Sequence, residues 1–201
     1  MPTHKQSPAA PGYILVHPHF SPDSLPELSF SSPLRQVTQR TLNEDLAHLT
    51  SGSSKALELA LRNEHLNQFY RAEIDAIAQN STAKLLILRS TFDWRAEQDN
   101  QTEWSAMERR AGLTGERLKA LCEALYKLQD ETIAYAAAKL GDRLCVTDSD
   151  PDDIAPEVMK FFGQRMRLEI FGETRDVCVK DAHRAMKEDI EAEINEVKCP
   201  V

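Results

Sequence analysis

From Glu116 to Leu140 the chain runs without a single glycine or proline. A helix of that length is about 37 Å long at 1.5 Å per residue, as long as a small domain is wide. Any fold must therefore be arranged around this rod. Its ends are marked. Gly141 is placed as a left-handed C-cap, and Gly112-Leu113-Thr114-Gly115 separates the rod from a shorter apolar-spaced segment carrying Trp104, Met107 and Ala111.

Helical spacing recurs on either side. Ser32-Pro33 is a start signal, an N-cap oxygen followed by a proline whose missing N–H costs nothing at the first helical position. Leu34, Val37, Leu42, Leu46 and Leu49 then form one apolar face, which Thr50-Ser51-Gly52-Ser53 ends. Leu57, Leu61, Leu66, Phe69, Ile74 and Ile77 continue at three- to five-residue spacing up to Asn80-Ser81. The cluster Leu85-Leu86-Ile87-Leu88, with Phe92 and Trp94, is apolar on more than one side and predicts a buried central helix. A strand there is disfavoured because no second strand is evident to pair with it. Val158, Phe161, Phe162, Met166, Ile170 and Phe171 predict a helix closed by Gly172, and Val179, Ala182, Met186, Ile190, Ile194 and Val197 a last one from about Thr174. The expected fold is all-α, a single bundle of six or seven helices over 33–201.

Residues 1–32 differ from the rest. With Pro33 they hold seven of the ten prolines, which removes backbone donors and predicts a flexible, disordered Pro/Ser-rich arm. Its apolar patch offers Tyr13, Ile14, Val16 and Phe20 as partner-binding side chains. No acidic residue precedes Asp23, a composition shared with the leaders of exported bacterial proteins, so a secreted effector-like protein is one alternative.

The break at Gly112 carries the sharpest motif. Trp104, Met107, Ala111, Gly112 and Leu113, followed by Leu118 and Leu121, have the spacing of two helices joined by a tight glycine turn. Over about 82–128 this resembles the helix-turn-helix of winged-helix regulators and phage replication initiators. The resemblance implies a DNA-binding regulator or phage-type replication protein using Arg109, Arg110, Arg117 and Lys119. It departs from that pattern at Glu108, where a small residue is usual. Residues 103–128 set five basic side chains against four acidic ones, a net charge of only +1.

Charge and spacing narrow the chemistry. A formal charge of −8 and a pI near 5.3 oppose broad adhesion to nucleic acid or anionic membrane. Asp148, Asp150 and Asp152 alternate as in a calcium loop, but Asp153 and Met159 stand where glycine and a bidentate glutamate are needed. Asp45 and His48 are one helical turn apart, without the second pair that a di-iron site requires. Cys122, Cys145, Cys178 and Cys199 form no metal spacing and predict free thiols in a cytoplasmic protein. No metal, no cofactor and no enzymatic activity are expected. The leading expectation is a non-catalytic, macromolecule-binding regulatory protein. Glu188 and Glu191 on the last helix would meet an unknown protein partner, or 174–197 would pair with its counterpart in a second copy.

Overall fold

The computed structural model describes residues 11–18, 32–90, 95, 99–163, 167–172, 177–190 and 193–198. It corrects the all-helical expectation. Five parallel strands, β1 (Gly12–Val16), β2 (Lys84–Leu88), β3 (Leu144–Thr147), β4 (Arg167–Gly172) and β5 (Glu193–Lys198), form one sheet in the order β3-β2-β1-β4-β5. Among the described residues seven α-helices surround it: α1 (Ser32–Thr41), α2 (Glu44–Leu49), α3 (Ser54–Gln79), α4 (Gln101–Ala111), α5 (Gly115–Leu140), α6 (Ala155–Phe162) and α7 (Val177–Asp189). The fold is α/β.

β2, β4 and β5 fall where helix was expected and β1 where an arm was expected, and for β1 and β2 the reason is physical. A central parallel strand is buried on both faces, so it shows a continuous apolar run instead of alternation. Ile14, Leu15 and Val16 in β1 and Leu85 through Leu88 in β2 are fully buried. Each found the partner that sequence could not show: Tyr13 pairs with Leu85 and Val16 with Leu88, while Ile14 pairs on its other side with Ile170. The patch read as part of a flexible arm is thus the middle of the sheet. The expected helix from Val158 to Gly172 is α6 followed by β4. The last expected helix stops at Asp189, and Glu193–Lys198 forms β5, so 174–197 offers no continuous helical stripe for a second copy.

Side chains alternate between two cores. Leu15, Leu85, Ile87 and Phe171 face α3, α4 and α5, whereas Ile14, Val16, Leu86, Leu88, Leu168 and Ile170 face α6 and α7. The crossovers β1-α3-β2 and β2-α5-β3 therefore lie on one face, and those through α6 and α7 on the other. This is the doubly wound arrangement.

Helix length adds a second layer. α3 and α5 have 26 residues each, about 39 Å, against about 17 Å for a five-residue strand. Two contacts fix where they overshoot. The Tyr70 ring lies 6.1 Å from Phe171 at the carboxyl end of β4, and Gln129 reaches Ser90 just past β2. The amino-terminal halves of both helices thus stand beyond the carboxyl ends of the strands. There they bury Leu46, Leu59, Met107, Ala111, Leu118 and Leu121 with α2 and α4 as a helical cap.

The helical corner read from sequence exists inside this cap. Gly112 takes φ 62° and ends α4. Ser53 caps α3 by accepting from Ala56 N (3.1 Å) and also donates to Ala111 O (2.7 Å). A Cβ on Gly112 would lie 2.8 Å from that hydroxyl oxygen, so glycine is required for the approach as well as for φ. Glu108, unusual by sequence, accepts from Gly115 N at 2.8 Å and closes the amino end of α5, where Thr114 makes no side-chain cap.

Candidate functional site: the carboxyl edge of the sheet

β1 and β4 are neighbours, yet the chain leaves β1 toward the α3 face and leaves β4 toward the α7 face. Connections that diverge in this way leave a crevice between the two carboxyl ends, and in open α/β sheets that is where ligands bind. His17, the first residue past β1, is the one non-glycine residue with positive φ (45°) among the described residues. Its N–H still donates to Leu88 O at 2.9 Å, so the ladder runs one residue past the strand before the chain turns out. Backbone of this kind is held in place by its surroundings and concentrates at binding sites. Across the crevice, Gly172 ends β4. A Cβ there would meet Val16 O at 2.9 Å and Val179 Cγ2 at 2.8 Å, so only glycine lets α7 and β1 close on this point.

Polar groups gather at the ends of β2 and β3. Arg89 binds Asp148 through both oxygens, Nε at 2.7 Å and Nη2 at 2.8 Å. The pair is half exposed. The Arg89 guanidinium holds the Asp148 carboxyl below the usual aspartate range, and the carboxylate in turn raises the arginine. The Thr147 and Ser149 hydroxyls are 2.8 Å apart, and Ser149 N donates to the Thr147 hydroxyl at 3.2 Å. Gln129, 2% exposed, accepts from Ser90 N at 3.0 Å and fixes the first loop residue after β2. Nearby on β3, burial and Glu157 push the Cys145 thiol up, which keeps it protonated and poorly nucleophilic. Most of the loops that follow β1, β2 and β4 lie outside the described residues.

Of these residues, the sequence reading weighed Asp148 as a calcium ligand and Cys145 as a metal-binding thiol and set both aside; it did not single out the others. The signal was present: Arg89-Ser90 directly follows the apolar run of β2, and Asp148 directly follows β3. It is legible only once those runs are known to be strands. The residues that sequence did propose lie elsewhere. Ile14 and Val16 are fully buried and Tyr13 is half-buried in β1, so these three cannot form a docking peptide. Phe20 and Glu191 lie outside the described residues. Glu188 is exposed on α7. Arg109 and Arg110 stand in the last turn of α4 and Arg117 and Lys119 at the start of α5, on either side of the glycine corner and away from the strand ends.

A groove of about 380 Å³ opens between α1, α2 and the start of α3, with Leu42, Thr50, Ser54 and Leu57 among its walls. Arg35, its charged wall, is paired with Glu58 at 3.3 Å, and the groove is far less enclosed than a ligand cavity. The crevice, with its divergent strand ends and held backbone, is the better site. Among the described residues no group of three or more histidine, cysteine or acidic side chains is placed to hold a metal, and no helix is long and apolar enough to cross a membrane. Comparison of the chain with known protein families, characterised proteins and solved structures found no match.

Proposed function

We propose that this protein is a non-catalytic regulatory domain of the cytoplasm that binds a small polar molecule at the carboxyl edge of its sheet, beneath the helical cap. The observation that carries the reading is the reversal of strand order between β1 and β4, with His17 and Gly172 shaping the two lips. The class of ligand follows from the groups at hand. Hydroxyls of Ser90, Thr147 and Ser149 offer uncharged hydrogen-bonding groups, which suit a hydroxyl- or amide-bearing ligand. After β1 the sequence reads His17-Pro18-His19, with no glycine to cradle a pyrophosphate, so a dinucleotide held in the usual way does not fit.

The test uses the full chain. Nucleosides, nucleotides and sugars are screened for a rise in melting temperature, and each hit is mapped by hydrogen exchange. Protection is expected at 16–18, 88–90, 147–149 and 172, together with weaker binding when Thr147 becomes valine and Ser149 alanine. Hits that protect only other segments, or a screen in which nothing raises the melting temperature, would overturn the reading.

A further inference from the structure

We infer that the outer edge of β3 is a self-association surface, on which a second copy of this chain pairs its own β3 antiparallel to the first and joins the two sheets into one. β3 is the end strand of the order β3-β2-β1-β4-β5, so its backbone is bonded on one side only. Arg89 N donates to Thr147 O at 2.9 Å, which turns the peptide groups of Thr147 toward β2. Successive residues of a strand point opposite ways, so Val146 aims its N–H and C=O outward. The segments that join β3 both run inward. Before it, Arg143 donates to Asn80 O (2.6 Å) and Ala83 O (3.0 Å), in the turn that leads to β2. After it, Asp152 accepts from Arg184 of α7 at 2.9 Å. Neither segment folds back over the outer edge.

The two edges of the sheet differ in kind. β5 reads Glu-Ile-Asn-Glu-Val-Lys, and charges at this density keep an edge from pairing. β3 reads Leu-Cys-Val-Thr, with neither a charge nor a proline. Val146, within it, is 40% exposed and is one of three large apolar side chains left exposed among the described residues. An uncharged strand edge of this sort is a template for another strand.

That the other strand comes from a second copy follows from self-complementarity. A two-fold axis perpendicular to the sheet at Val146 sets this residue opposite Val146 of the second copy, where the two exchange both backbone hydrogen bonds. Valine on valine then covers what each chain alone exposes. The same axis sets Cys145 opposite Thr147 and Leu144 opposite Asp148, so no like charges meet along the strands. The other face of the sheet is matched by charge. α6 packs against α7 on one flank. After burial, the charges of Glu157 and Lys160 act most on the Cys145 thiol, in opposite senses, so both stand close to β3 and beside the axis. They lie one helical turn apart, 3.8 Å from each other. The axis reverses the second α6, and Glu157 of each copy thus comes toward Lys160 of the other. An unrelated strand would gain the backbone bonds alone.

The contact is short and its affinity correspondingly low, so light scattering of the full chain is read without ligand from about 1 to about 300 μM. The mass should rise from that of one chain, 22.7 kDa, to that of two. Hydrogen exchange at 144–147 should slow over the same range, and exchange at 193–198 should stay as it is. Val146→Lys sets two ammonium groups against each other at the axis. It should leave a single chain at every concentration, with the melting temperature of the dilute protein unchanged. Val37→Lys, at the exposed valine of α1, should leave the two-chain mass intact. A one-chain mass throughout, growth past two chains, or association that survives Val146→Lys would each overturn the inference. No ligand enters these measurements, so none of them bears on the crevice.

Discussion

Single side chains in this protein hold joints between elements. Gly112 and Gly115 both have positive φ, but only Gly112 lies against a neighbour, the Ser53 hydroxyl. Gly115→Ala should therefore cost the left-handed strain alone, about 1–2 kcal/mol. Gly112→Ala should cost visibly more in the same urea titration, because it also dislodges the cap of α3. Gln129→Leu leaves Ser90 N without its acceptor in a nearly buried place, for a loss of about 1–3 kcal/mol. Glu73 is a different case. Burial first, and then the charge of Glu169, raise its pKa in the folded state. An acid raised in this way favours the protonated folded form, so its ionisation subtracts stability as pH climbs past the ordinary carboxyl range. Glu73→Gln should accordingly raise the melting temperature at pH 7 and change little at pH 4; equal shifts at both would refute the burial argument.

Among the elements, β1 has the most leverage, although it is five residues long and sits in a proline-rich stretch. It pairs with β2 and β4 and separates the two apolar cores. Ile14→Ala, a fully buried truncation, should cost about 2–5 kcal/mol by chemical denaturation. Removal of residues 1–18 should abolish cooperative unfolding altogether, the opposite of what a passive arm would do. The helices were legible for a plain reason: α3 and α5 begin after Ser53 and at Gly115 and end at Asn80 and Gly141, where the punctuation stands in the sequence. The strands were not. Leu85–Leu88 is the run of apolar residues that a buried helical turn would have, and Leu168, Ile170 and Phe171 fit a helical stripe as well as a strand; strand identity there is decided by a partner some seventy or more residues distant.

At the scale of the molecule, α3 and α5 are shared between sheet and cap, so neither layer has a helical core of its own. Far-UV ellipticity, which reports both layers, and the emission of Trp104 in the cap, read in a Trp94→Phe variant, should lose native signal at one denaturant concentration. Two separated transitions would show the cap to be an independent unit. α5 joins the two levels of this architecture, running from Gln129 at the strand ends to Arg117, which is bonded to the end of α2 in the cap.

Sequence alone determined the positions and limits of the long helices, the glycine-marked corner after Ala111 and the acidic balance of the chain, because each depends on near neighbours or on composition. Tertiary structure alone decided the sheet and the crevice at its edge. Those arise when Tyr13 meets Leu85 and when β1 and β4 send their connections to opposite faces. Each joins residues whose separation along the chain leaves no local trace, and only the closure of two apolar cores brings them together.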